Sequence, residues 1–94
     1  MIITAGKFKG RHIAVPDEKI TRPTLSKVRM SIFNTLQSVI RFDGASFLDM
    51  FAGSGIMGLE AVSRGFEDVL AIEKNKKAFE ILTSNNKNFD NVLN

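Results

Sequence analysis

A strand-like run, a glycine turn and a helix-like run follow one another without interruption in FLDMFAGSGIMGLEAVSRG, residues 47–65. Its centre is a literal G-x-G-x-x-G, Gly53-Ser54-Gly55-Ile56-Met57-Gly58. Glycines at such a junction let backbone approach a ligand closely and aim helix N-terminal amides at it. The short apolar run SFLDMF before the turn predicts a strand covered on both faces. IMGLEAVSR predicts a helix that Gly65 stops at its C′ position. DVLAIE then reads as a second buried strand, and NKKAFEILTSNNKNF as a second helix, capped by Asn75, with Ala78, Phe79, Ile81 and Leu82 inward. NVLN reads as the start of a third strand. Strand, glycine turn, helix, strand, helix predicts an α/β, Rossmann-like, doubly wound and mostly parallel sheet.

Two acids qualify what the turn binds. Asp49 lies four residues before Gly53, and an unpaired carboxylate beside a pyrophosphate adds repulsion in a partly desolvated pocket. The conflict disappears for a ligand that is cationic at that point. S-adenosylmethionine carries an ammonium and a sulfonium against one carboxylate; the acid receives the ammonium, and loop amides receive the carboxylate. Glu73, 18 residues after Gly55, stands near the offset of about 20 at which an acid binds ribose hydroxyls. Glu73 suits NAD and S-adenosylmethionine equally; Asp49 separates them.

The front of the chain has a different character. Residues 1–41 hold eight Lys and Arg against two acids, a balance of +6, whereas residues 42–94 balance at −3. A basic front and a mildly acidic rear suggest polyanion contact in the first and a separate task in the second. MIITAGKFKGRHIAVP reads as a hairpin between Gly6 and Gly10, with Lys7, Lys9 and Arg11 alternating onto one face. Thr24, after Pro23, reads as the N-cap of a helix to about Ile40, with Leu25, Val28, Ile32, Leu36, Val39 and Ile40 as its apolar face and Asp43-Gly44 as the turn beyond it. The expected division is a basic, polyanion-facing hairpin and helix over 1–42 and a cofactor-binding domain over 43–94.

Composition closes several alternatives. Ninety-four residues suit one small domain, and the absence of Cys excludes disulfides and thiolate metal sites. His12 alone makes no zinc cluster, so no metal is expected. No apolar run approaches the ~20 residues that cross a bilayer, and the N-terminus does not read as a signal peptide, so a cytoplasmic protein is expected by default.

In order along the chain, GKFKGRHIAVP, TRPTLSKVRMSIFNTL, LDMFAGSGIMGLEAVSRG and AIEKN resemble the RsmD family of bacterial class I S-adenosylmethionine-dependent methyltransferases. That family methylates the N2 amine of a guanine in small-subunit ribosomal RNA. The resemblance implies that Asp49, Phe51, Ala52, Gly53, Gly55 and Glu73 belong to the cofactor pocket. It implies that Lys7, Lys9 and Arg11 hold RNA phosphates, which position RNA without reading its sequence. Arg22, Thr24, Lys27 and Arg29 have two readings of equal weight: lining the junction of cofactor and RNA, or a helix cap for Thr24 and solvated basic surface for the other three.

The sequence departs from the family pattern in two respects. Ser26 stands where an acid commonly follows RPT. The Asn/Asp-Pro-Pro-aromatic motif that orients the target amine and stacks on the extruded base is not present, since the only prolines are Pro16 and Pro23. No catalytic residue is assigned for that reason. Methyl transfer depends on alignment of nucleophile and sulfonium, so this chain is expected to be a fragment, inactive alone, or one piece of an oligomer that completes the fold. Its sheet is expected to show partly uncovered apolar faces and to invite self-association. Met57, Phe66, Phe79 and Phe89 are read as core, Phe89 being the one that truncation would expose. The competing functions are a non-catalytic RNA-binding or S-adenosylmethionine-binding fragment and an NAD-type dinucleotide module.

Overall fold

The computed structural model describes residues 1–15 and 26–94. Arg22 and Thr24, and with them the expected cap, lie outside the described residues. The elements run α1 (Ser26–Gln37), β1 (Ser46–Asp49), α2 (Ile56–Arg64), β2 (Asp68–Ala71) and α3 (Lys76–Asn88). β1 and β2 pair in parallel, Ser46 opposite Asp68 through Asp49 opposite Ala71. On the other edge of β2, the Asn94 amide donates to the Val69 carbonyl at 2.8 Å and the Ala71 amide donates to the Asn94 carbonyl at 3.1 Å. That is the parallel ladder pattern, so the third strand expected at NVLN is begun by one residue.

Local chemistry accounts for the helix limits. Gly65, at φ 120°, follows α2, and the Gly65 and Phe66 amides donate back to the Val62 and Ala61 carbonyls. This pair is a Schellman closure, and it carries Phe66 into the core. At the start of α3 the Asn75 side chain accepts the Ala78 amide at 2.9 Å, the expected cap. α1 stops at Gln37, three residues before the expected Ile40, where the Val39 and Ile40 amides both fold back onto the Leu36 carbonyl.

One apolar cluster draws Ile3, Ile13 and Phe33 from the front of the chain together with Leu59, Val69, Leu82 and Phe89 from the rear. Phe33, Phe42, Phe47 and Phe66 form its aromatic centre, with the Phe42 and Phe66 rings stacked at 4.5 Å. Alternation in the strands turns Phe47 and Val69 toward this core and Leu48 and Leu70 away from it. Leu48, Met50, Leu70 and Ile72 are all exposed. The strands are therefore covered on one face only, which agrees with an uncovered sheet and departs from burial on both faces.

Two further expectations, the apolar face of α1 and the burial of Phe79, are corrected, and the reading of Phe89 as core is borne out. α1 buries Arg29 and Phe33, leaving Val28, Ile32, Val39 and Ile40 exposed. Its 3.6-residue stripe is displaced by one position because a buried ion pair anchors the helix. Phe89 is buried, sealed edge-on by Phe8 at 5.1 Å. Phe79 is half exposed, since Ala78, Leu82 and Asn85 form the inward face of α3.

Candidate functional site

The C-terminal ends of β1 and β2 lie side by side, and the predicted residues Asp49, Phe51, Ala52, Gly53, Gly55 and Glu73 gather there. Parallel pairing brings this about: the Ile72 amide donates to the Asp49 carbonyl at 2.8 Å and the Ala52 amide to the Ile72 carbonyl at 2.9 Å. The Gly53 amide donates to Glu73 Oε1 and the Asn75 amide to Glu73 Oε2, each at 2.7 Å. Glu73 thus staples the two strand-end loops together and keeps free lone pairs on both oxygens, since a carboxylate offers about four acceptor positions.

The turn is tight because it must be glycine. Gly55 caps α2 at φ 91°, and a Cβ there would lie 2.4 Å from Leu82 Cδ1. The amides of Phe51, Gly53 and Gly55 are taken by Asp49 Oδ1, Glu73 and the Ala52 carbonyl respectively. The first-turn amides of α2 have no intrahelical acceptor.

Asp49 and Glu73 place two carboxylates at adjacent strand ends. Burial raises the Asp49 pKa, the Phe51 amide opposes that rise, and the Glu73 charge adds to it. Among the described residues the ion pairs are Arg29–Glu60 and Arg64–Glu60, so neither strand-end acid has a basic partner. The site carries excess negative charge beside a partly desolvated carboxylate. Phe51, 89% exposed, stands as an uncovered aromatic ring on the same rim.

The basic residues scatter differently from the expectation. Residues 5–10 form bends and turns, so Lys7 and Lys9 do not alternate along a strand; the hairpin is reduced to one bridge, Ile2 opposite His12. Gly6, at φ 86°, lets this segment sit on the end of α2, where the Lys7 amide donates to the Ser63 carbonyl at 2.9 Å. Lys7 and Lys9 remain exposed. Arg11 lies 4.0 Å over the Phe89 ring and donates to the Asn88 carbonyl at 2.7 Å, so its guanidinium also serves packing. Lys27 is exposed beside Met30 and Asn34 on a shallow groove of α1.

Arg29 is the clear correction to the RNA-facing set. Its side chain is fully buried and paired with Glu60, so it cannot meet a phosphate in this structure. Glu60 is the hub that residue-by-residue reading missed. It accepts from the Thr4 and Ala5 amides, the Thr4 hydroxyl, Arg29 and Arg64. A charge inside the apolar run of α2, four residues before an arginine, was the available signal. Burial pushes its pKa up, but the Thr4 amide and hydroxyl and the Arg64 guanidinium outweigh that and hold it low.

The model of the family described as "Conserved hypothetical protein 95" matches residues 1–93. Ribosomal RNA small subunit methyltransferase D of Escherichia coli is 42% identical over 83 residues, covering 88% of this chain and 41% of that protein. YlbH of Bacillus subtilis is 42% identical over 90 residues, covering 96% of this chain and 48% of that protein. The solved Escherichia coli structure yhhF superposes with a TM-score of 0.84 at 34% identity, covering 100% of this chain and 50% of that one. The chain thus spans about half the length of the curated relatives it matches. With the family model matched over nearly the whole chain, the chain belongs to the conserved hypothetical protein 95 family, the RsmD-type methyltransferases with a Rossmann-like fold.

Proposed function

We propose that this chain supplies the methyl-donor half of an S-adenosylmethionine-dependent ribosomal RNA methyltransferase acting on the N2 amine of a guanine in the small subunit. The observation that carries the reading is the pair Asp49 and Glu73, two acids without a basic partner among the described residues, on either side of a glycine turn. Asp49 is suited to the donor's ammonium and Glu73 to its ribose hydroxyls. The α2 first turn suits its carboxylate. When bound, the donor supplies an electrophilic methyl group on its sulfonium; the chain's own residues bind and orient it. Relatedness to a small-subunit rRNA methyltransferase supports the RNA substrate, and a cytoplasmic setting goes with it.

Lys7, Lys9, Arg11 and Lys27 are the described residues proposed to meet RNA phosphates, while Arg22 keeps that role as an expectation from sequence. No residue here is assigned to orient the target amine. Calorimetry with S-adenosylmethionine and with NAD tests the reading. Binding of the methyl donor and not NAD is expected. Binding of NAD alone would overturn it and favour the dinucleotide alternative.

A further inference from the structure

A buried amide on α3 holds the glycine turn from behind. Asn85 is 3% exposed, and its side chain makes three hydrogen bonds. Oδ1 accepts the Ala14 amide at 3.0 Å, while Nδ2 donates to the Ala14 carbonyl at 2.8 Å and to the Ser54 carbonyl at 2.9 Å. Both N–H donors of the amide are used.

The Ser54 carbonyl belongs to the peptide that joins Ser54 to Gly55. The N–H of that same peptide donates to the Ala52 carbonyl at 2.8 Å. One peptide plane is therefore gripped from both sides, by Asn85 at its oxygen and by Ala52 at its nitrogen. It needs that grip. Gly55, the residue on its nitrogen side, sits at φ 91°, and glycine permits the rotated alternative at little steric cost. Rotation would strand the buried Ser54 carbonyl, re-aim the Gly55 amide and disturb the entry of α2, whose first-turn amides face the ligand position.

We propose that Asn85 is a positioning residue for the methyl-donor turn, fixing the Ser54–Gly55 peptide so that the α2 N-terminus is presented to the donor's carboxylate. The inference rests on the methyl-donor reading for its consequence but not for its geometry. Through Ala14 the same side chain also ties the exit of the N-terminal segment to the turn, so one residue sets the spacing between basic segment and donor site.

The test uses the 94-residue chain with Asn85→Asp, which keeps an acceptor for the Ala14 amide but loses both donors. Ser63→Ala is the control, because Ser63 Oγ accepts the Phe8 amide and donates to the Ala5 carbonyl, bonds remote from the turn. Amide hydrogen exchange at Gly55 is read without ligand, and donor affinity by calorimetry. Asn85→Asp is expected to speed Gly55 exchange and weaken donor binding by about tenfold each, relative to Ser63→Ala, the size of one missing buried hydrogen bond. Equal Gly55 exchange in the two variants overturns the positioning role. If Asn85→Asp does not fold, Asn85→Ala removes both donor bonds, and the one from the Ala14 amide as well, without burying a charge, and carries the same expectation. A wild-type chain that binds no donor sinks the methyl-donor reading, while Gly55 exchange still decides the role of Asn85.

Discussion

Arg29 Nε donates to Glu60 Oε1 at 3.0 Å with both side chains completely buried, and this pair fastens α1 to α2. Arg29 also donates to the Ile2 carbonyl, and Glu60 gathers the Thr4 and Ala5 amides, so three segments meet on two charges. Removing one partner of such a pair leaves an uncompensated charge in the interior. Glu60→Ala is expected to cost about 3–5 kcal/mol of unfolding free energy, read from urea titration. Replacing both by well-packed apolar residues, Arg29→Met with Glu60→Leu, is expected to cost less than Glu60→Ala alone, although the Thr4 and Ala5 amides keep that double variant below wild type.

RNA binding and core packing separate by salt. Lys7 and Lys9 are exposed, so on the proposed reading Lys7→Ala and Lys9→Ala each leave one phosphate without its cation. Each variant is expected to reduce the slope of log affinity against log salt by roughly one. A folded Arg29→Met chain is expected to keep the wild-type slope, because its guanidinium never leaves the interior. Filter binding of small-subunit RNA across a salt series measures both. A slope unmoved by both lysine variants would take the N-terminal segment out of the interface.

The glycine turn was legible in the sequence because its constraints are local. Strand, positive-φ glycines and helix follow in one run, and the parallel register that pairs Asp49 with Ala71 fixes where Glu73 arrives. α1 was legible as a helix but not in its orientation. Val28, Ile32 and Val39 outweigh Arg29 on any hydropathy scale, yet Arg29 is the residue buried, since its partner lies 31 positions away on α2. Alternation of Lys7, Lys9 and Arg11 failed for a similar reason. Gly6 docks on the end of α2, and that long-range packing coils the segment into turns. Asn85 had no local signal at all: SNNKN reads as a solvated helix end, and only the fold brings Ala14 and Ser54 to it.

Gly55 is where sterics and the proposed function coincide. At φ 91° it holds a left-handed conformation, and an added Cβ would stand 2.4 Å from Leu82 Cδ1. Gly55→Ala is expected to lower stability by about 1–3 kcal/mol from backbone strain and to weaken donor binding as well, because the α2 entry shifts. Gly10 offers the comparison: it has φ 87° but nothing within 4 Å of its Cβ direction, so Gly10→Ala costs only the dihedral strain and leaves donor binding unchanged. Thermal unfolding together with calorimetry reads both variants.

Asp49 and Glu60 respond to acid in opposite senses. Burial first, and the Glu73 charge after it, hold the Asp49 pKa above its unfolded value in spite of the Phe51 amide. The native state then binds that proton more tightly than the unfolded chain does, so ionised Asp49 destabilises the fold at every pH above its folded pKa. The penalty is relieved as pH falls through that value toward the unfolded one. Glu60 is held low, so its stabilisation is full above the unfolded glutamate value and disappears as pH falls through its lower folded value. Asp49→Asn is expected to be more stable than wild type at neutral pH, with the gap closing as wild-type Asp49 takes up its proton. The same variant is expected to bind S-adenosylmethionine more weakly, by about 1–3 kcal/mol if the ammonium meets this carboxylate. Wild-type binding is then expected to release protons near the folded pKa of Asp49, since a cation beside the acid draws its pKa down. Calorimetry in buffers of different ionisation enthalpy detects that release, and a binding enthalpy independent of buffer there would remove the ammonium contact from Asp49.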